Sequence, residues 1–569
     1  MNPKAPSSKN TASDARAAAR AGLNRARAGL EAAKAGFNAA LAEFNHSADS
    51  DKSGVPSARD SHAAEVADLT RQAEERAAAR QHKNDKLTAR ERLETLLDPD
   101  TFVEIGQFMG GSMKNGFTGA AVITGHGEIN GRRVAVYAQD FSVRGGTLGR
   151  VEGQKIINIM DVAMEMRIPI VGMLDSGGAR IQEGVVALTQ YGRIFRKSCK
   201  ASGSVPQISL ILGPCAGGAV YSPALTDFVI MTREHSHMFV TGPEVVRAVS
   251  GEKVSFEELG GAEVNNFQSG VAHYLADDEE DALEYARSLL TYLPSSFEEP
   301  APTYDYQPDP DEAALAQKLG DLVPESTRTP YDVIQVVQNL VDHGEFVEVQ
   351  AGFAKNIVIG FACISGHSVG IVANQPLYEA GTLDVDASEK AARFVRLCDA
   401  FSLPIITLVD VPGYRPGTQQ EQAGIIRRGA KMIFAYANAT TPMITIVLRK
   451  AYGGAYIVMG SKSIGADMNF AWPGAEVAVM GADGAVSIMN RRDIAAAQEA
   501  GEDVEKVRAA LVAQYTEESV NPDLSVAEGE FDAIITPAQT RDAIVGSLEL
   551  LQTKHRPVSG SKRHGNGPL

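Results

Sequence analysis

One half of this 569-residue chain repeats the other, and that repeat constrains its architecture more than any other feature. Gly131 aligns with Gly366, Ile168-Pro169-Ile170 with Leu403-Pro404-Ile405, and Asp175 with Asp410, each pair 235 residues apart. After a one-residue insertion the register continues at 236, with Pro206-Gln207-Ile208-Ser209 matching Pro442-Met443-Ile444-Thr445 and Gly217-Gly218-Ala219 matching Gly453-Gly454-Ala455. Self-similarity over so long a period means one fold used twice. Five prolines between Pro294 and Glu312 disfavour regular structure and mark the boundary between the halves.

Within each half the pattern is that of an α/β fold. Gly125 to Asp140 and Gly360 to Gln375 read as pairs of short strands around a tight turn, Asn130-Gly131 in the first. Apolar runs follow at Ile168 to Leu174 and Ile208 to Leu212, and again at Leu403 to Val409 and Ile444 to Leu448. They alternate with helical stretches, which predicts βαβ units and covered sheets. The expected divisions are an Ala-rich extension over 1–60, a first domain over 61–300 and a second over 301–569. In the extension Leu23, Leu30, Phe37 and Phe44 recur every seven residues, one stripe of an amphipathic helix. Asp14, Glu31 and Glu43 argue against a targeting peptide there, and residues Asp49 to Ser61 read as a linker.

Composition removes several function classes. With 54 basic and 71 acidic side chains the net charge is -17, so the surface repels nucleic-acid phosphates and anionic lipids. No apolar run reaches the length of a membrane span. Four scattered cysteines, Cys199, Cys215, Cys363 and Cys398, form no Cys-x-x-Cys pair, which points to a reducing cytoplasm rather than a disulfide framework or zinc ribbon. His235 and His237 have no third ligand at metal spacing, so no metal is expected.

The candidate chemistry lies in glycine loops that follow the buried strands. A Gly-Gly before a helix leaves backbone N–H groups unobstructed where the helix dipole favours negative charge. Such donors suit a phosphate or an oxyanion. There is no G-x-x-x-x-G-K-[ST] loop, which disfavours phosphate. Gly213-Pro214-Cys215-Ala216-Gly217 has the outline of a nucleophile elbow, but its second-half counterpart carries Ala451, and the structural reading of Cys215 as a small buried side chain is favoured.

Four motifs carry a family resemblance. They are Lys86-Leu87-Thr88-Ala89-Arg90-Glu91-Arg92, Asp175-Ser176-Gly177-Gly178-Ala179-Arg180-Ile181-Gln182-Glu183-Gly184, Arg427-Arg428-Gly429-Ala430-Lys431 and Arg449-Lys450-Ala451-Tyr452-Gly453-Gly454-Ala455-Tyr456. Together they resemble the β subunit of biotin-dependent acyl-CoA carboxylases of the propionyl-CoA carboxylase type, the carboxyltransferase component. The resemblance implies two tandem crotonase-like domains in a homo-hexameric core. It implies transfer of a carboxyl group from carboxybiotin to the α-carbon of an acyl-CoA, with no side chain needed as base. Gly177 and Gly178 would hold the thioester oxygen and Gly454 and Ala455 the biotin oxygen. Gly218 and Gly413 join them as repeat partners. Ile457 stands where relatives that prefer propionyl-CoA carry Asp, so acyl specificity is expected to turn on it. Arg144 and Asn265 also replace residues usual in the family. No Glu-Ala-Met-Lys-Met biotinylation motif and no ATP loop is present, so biotin is expected on a separate biotin carboxylase and carrier subunit. The alternatives sharing these motifs are a biotin-dependent acyl-CoA decarboxylase subunit and a non-catalytic scaffold subunit.

Overall fold

The computed structural model describes residues 58–111, 119–308, 310–520 and 522–554. The stripe of Leu23, Leu30, Phe37 and Phe44 lies outside them. The chain divides into two compact units, Met1–Arg71 and Gln72–Leu569. The described part of the first unit is helical, belonging to a helix that runs Ala58–Gln81. That helix begins inside the expected linker, because alanine, arginine and glutamate from Ala58 onward are good helix formers.

The second unit contains two eight-stranded sheets. In the first, β1 (Val103–Glu104), β2 (Val122–Ile129), β3 (Arg132–Gln139), β4 (Ile170–Ser176), β5 (Gln207–Ala216), β6 (Phe228–Thr232) and β8 (Tyr274–Ala276) are neighbours in that order, and β7 (His237–Phe239) pairs with β5. The second repeats the plan with β9 (Phe346–Val349), β10 (Ile357–Ile364), β11 (His367–Asn374), β12 (Ile405–Val411), β13 (Met443–Tyr452), β14 (Met468–Ala471) and β16 (Ala533–Ile534), and β15 (Glu476–Ala478) pairs with β13.

The hairpins are antiparallel and turn through residues with positive φ, Asn130 (52°) and Gly131 (73°) in one, Ser365 (51°) and Gly366 (78°) in the other. These values suit the twist of a two-residue hairpin. From β3 and β11 onward the ladders are parallel, and β4 and β12 are buried at every residue, which is why they read as unbroken apolar runs. Crossover helices at Arg150–Met166 and Val185–Ala201, and at Val385–Ala400 and Ile425–Asn438, complete the βαβ units. The first pair approaches so closely that a Cβ on Gly153 would lie 2.3 Å from Gln190 Cβ, so only glycine fits there.

The two halves share a core. Phe228 and Phe361 meet edge to face across them with ring centroids 6.0 Å apart, and both are almost fully buried. Truncating either to alanine would cost about 3–5 kcal/mol. The irregular connection between halves is shorter than expected, since Pro310 opens the helix Pro310–Leu322. Proline suits a first helical turn, where no partner is needed for its missing N–H.

Candidate active site

Both sheets end in the same construction. Strand β4 pairs in parallel with β5, and β12 with β13, and each ladder slips register around its aspartate: between Leu174 and Ser176 in one, Val409 and Val411 in the other. The slip bends the strand and re-aims the side chain. Asp175 and Asp410 are fully buried there. Their backbone amides donate to matching side-chain oxygens, Gln139 Oε1 and Asn374 Oδ1, both at 3.2 Å.

A buried carboxylate needs cations, and each half supplies two. Asp175 Oδ2 pairs with Lys86 Nζ and with Arg92 Nη1 at 3.1 Å, while the Arg92 guanidinium also grips Glu279 at 2.6 and 2.7 Å. Thr88 and Glu91 cap the short helix that carries Arg92, each side chain accepting from the other's backbone N–H. Asp410 pairs with Arg449 Nε at 3.0 Å and Lys450 Nζ at 2.9 Å. Those two cations then donate to the carbonyls of Pro324, Ser326, Thr327 and Thr329. The aspartates thus fix the strand ends from which the glycine loops depart.

In the sequence Asp175 and Asp410 serve to align the repeat, and Asp175, Lys86, Arg92, Arg449 and Lys450 stand as letters of the family motifs, without a role of their own. A signal was available for one pair: two basic residues directly after the apolar run Ile444 to Leu448 must find buried partners.

The predicted donors are brought together two by two. Gly178 follows β4 and Gly218 follows β5, its parallel neighbour; a Cβ on Gly178 would come within 3.1 Å of Ala216 O. Gly413 and Gly454 bear the same relation to β12 and β13. At Gly218, Gly413 and Gly454 an added Cβ would meet no protein atom within 4 Å, so space lies open beside each backbone. Among the described residues the amides of Gly218, Gly413, Gly454 and Ala455 meet no acceptor. Gly178 N–H donates to Ser176 Oγ at 3.0 Å, a bond a rotating hydroxyl can give up. Gly177 differs: its N–H is held by Gly145 O at 3.0 Å. Two pairs of donors, one per half, are what this geometry offers to developing negative charge.

Other candidates fall away from chemistry. Cys215 is buried in β5, and burial pushes its thiol up to about 12, so it carries no thiolate near neutral pH. His237 Nε2 is bonded to Glu257 Oε1 at 2.6 Å. Asn265 is buried and donates to backbone oxygens of Met238, Gly260 and Gly261, a structural part. Ile457 sits on the helix Gly453–Val458, three residues beyond Gly454, and is 37% exposed. No helix among the described residues is long and apolar enough to cross a membrane.

Residues 80–567 match the carboxyl transferase domain family. The chain belongs to that family. The propionyl-CoA carboxylase beta chain of Saccharopolyspora erythraea is 52% identical over 547 residues, covering 92% of this chain and all of that one. A propionyl-CoA carboxylase carboxyltransferase subunit of Haloferax mediterranei is 52% identical over 497 residues, 86% of this chain and 95% of its own. Among solved structures, a transcarboxylase 12S described as a hexamer, with methylmalonyl-coenzyme A and methylmalonic acid bound, superposes with a TM-score of 0.84 at 45% identity, over 92% of this chain and all of the other. The carboxyl transferase fold is therefore the tandem crotonase-like α/β arrangement expected from the motifs.

Proposed function

We propose that this chain is the carboxyltransferase subunit of a biotin-dependent acyl-CoA carboxylase, moving a carboxyl group from carboxybiotin to the α-carbon of an acyl-CoA. The observation that carries the reading is the pairing of open backbone donors at two matched strand ends. The reaction develops negative charge in two places, on the thioester oxygen of the acyl-CoA and on the ureido oxygen of the biotin, and each place needs its own donors. Carboxybiotin, borne by a separate biotin carboxylase and carrier subunit, supplies the carboxyl group.

Gly178 and Gly218 hold the thioester oxygen in this reading, with the α-proton acidified as that oxygen takes up charge; the proton would pass to the ureido nitrogen that gives up the carboxyl group, so no side chain of this chain need accept it. Gly177 shapes the loop, its own N–H being engaged with Gly145. Gly413 and Gly454, with Ala455 next along the helix, hold the ureido oxygen. Each donor of this kind is worth about 2.7–4 kcal/mol of transition-state stabilisation. Ile457, one helical turn from Gly454, helps set which acyl chain is accepted.

The assembly in this reading is a homo-hexamer, as that of the 12S relative is described, with each active site formed by the first half of one protomer and the second half of another. Exposed apolar side chains next to both donor loops support it, Ile181 at 89% and Ile426 at 80%. Surfaces of this kind are normally covered by a partner. A cytoplasmic location accords with four free thiols.

The test is reconstitution. The chain alone should carboxylate no acyl-CoA from ATP and bicarbonate, and should gain that activity when mixed with a biotin-carrying carboxylase subunit. Turnover by the isolated chain would refute the division of labour. Failure of every such mixture with correctly assembled protein would refute the activity.

A further inference from the structure

A strained turn stands against each donor loop, and the two copies carry opposite charge. Arg144, Gly145 and Gly146 have φ of 53°, 65° and 64°; their counterparts Glu379, Ala380 and Gly381 have 49°, 55° and 76°. Three consecutive left-handed residues are costly for any but glycine, by roughly 1–2 kcal/mol each. The turn is held by close approach to the site: Gly145 O accepts Gly177 N–H, and a Cβ on Gly146 would lie 2.1 Å from Asp175 O.

In the second half Glu379 has a partner, Arg415 Nη2 at 3.7 Å. The equivalent of Arg415 in the first half is Arg180, which is taken by Glu152 and Glu183, both at 2.7 Å. Arg144 is left exposed, and no carboxylate among the described residues lies within ion-pair reach of it. Only its backbone is used, the carbonyl accepting from Thr147 Oγ1 at 2.8 Å. In a chain with an excess of acid over base, a cation that no described carboxylate pairs, on strained backbone beside a donor loop, calls for an anionic ligand.

We propose that Arg144 is a substrate-recognition residue whose guanidinium binds an anionic oxygen group of the acyl-CoA beside the Gly178–Gly218 donors. That group is either a phosphate of the CoA or a carboxylate on the acyl chain. The inference rests on the carboxyltransferase reading for the identity of its ligand. Arginine suits both groups because its planar fork matches two oxygens at once. Substituting the side chain leaves the bond from Thr147 to the Arg144 carbonyl in place, so recognition can be tested apart from folding.

The experiment compares the reconstituted holoenzyme with its Arg144→Gln and Arg144→Lys variants. Substrates are an acyl-CoA, the N-acetylcysteamine thioester of the same acyl group, and methylmalonyl-CoA in the reverse direction. Loss of a charged hydrogen bond should raise KM about tenfold or more in Arg144→Gln for whichever substrates carry the contacted group, with kcat nearly unchanged and partial rescue by lysine. Disappearance of that penalty on the cysteamine thioester identifies a phosphate as the contact; a penalty confined to methylmalonyl-CoA identifies the carboxylate. An unchanged KM throughout, or an equal rise on every substrate with lysine no better than glutamine, overturns the proposal. Calorimetric binding of CoA and methylmalonyl-CoA to the same proteins reads the contact without turnover. An unaltered enzyme that binds these ligands but transfers no carboxyl group would count against the proposed function instead.

Discussion

Lys390 Nζ donates to Ile357 O at 2.8 Å, and Lys155, its counterpart 235 residues earlier, donates to Val122 O at the same distance. Each bond ties a crossover helix to the start of the strand that leads into the hairpin. Lys390 also holds Gln350 O at 3.0 Å and Phe353 O at 2.8 Å, pinning a loop in which Gln350 and Ala354 have positive φ. Replacing it with methionine keeps the apolar stem and removes these donors; Gln350 O retains the Phe353 N–H at 3.1 Å, and each carbonyl left buried without a partner costs about 1–3 kcal/mol. Thermal unfolding should therefore show Lys390→Met well below the unaltered protein and below Lys155→Met, whose ammonium serves fewer carbonyls. Equal midpoints for the two variants would mean that the extra bonds carry no weight.

The open space beside Gly218 and Gly454 permits a clean test of the donors. Neither residue has positive φ in the range that penalises a side chain, and an added methyl touches no protein atom. Gly218→Ala and Gly454→Ala should fold and assemble normally, yet lose about 10²–10³-fold in kcat, because the methyl occupies the ligand's place. Gly178 and Gly413, at φ of 94° and 144°, cannot separate the two effects. Full activity in both alanine variants would remove these amides from the mechanism.

Burial raises the Asp227 carboxyl to about 6, against a smaller lowering by its bond from Gln207 N–H and by Arg393. The folded chain therefore holds this proton more tightly than the unfolded chain, whose aspartate titrates near pH ~3.9. Stability contributed by this group is full below the unfolded value and lost as pH rises through about 6. Asp227→Asn should flatten the fall of thermal midpoint between about pH 4 and 6, the interval bounded by the unfolded and folded values. An identical pH profile for both proteins would show that Asp227 titrates normally.

Ile457→Asp should shift relative kcat/KM toward propionyl-CoA. Discrimination of one methylene in an apolar pocket is worth about 1–3 kcal/mol, so a graded change is expected rather than a switch. Specificity profiles that coincide across short and long acyl-CoAs, with assembly intact, would place the determinant elsewhere.

Much of this architecture was legible in the chain because the repeat aligned it. The hairpins at Asn130-Gly131 and Ser365-Gly366, the buried strands and the glycine loops all follow from patterns local in sequence. What escaped depends on contacts between distant segments. Lys86 and Arg92 reach Asp175 across more than eighty residues, and the Gly145–Gly177 bond takes one candidate donor out of play, while parallel strand pairing joins Gly178 to Gly218 and Gly413 to Gly454. No single-residue pattern encodes which amide remains unbonded once the sheet has formed.

The central claim is that two donor pairs in this chain serve carboxyl transfer between an acyl-CoA and biotin. The most direct measurement is the partial reaction, without ATP or partner. The purified assembly is incubated with methylmalonyl-CoA labelled in its free carboxyl group and excess free biotin, and acid-labile carboxybiotin is counted. The account predicts biotin-dependent label transfer that falls about 10²–10³-fold in Gly454→Ala. Folded, assembled protein that forms no labelled carboxybiotin from methylmalonyl-CoA or malonyl-CoA, or whose transfer is indifferent to Gly454→Ala, would contradict it.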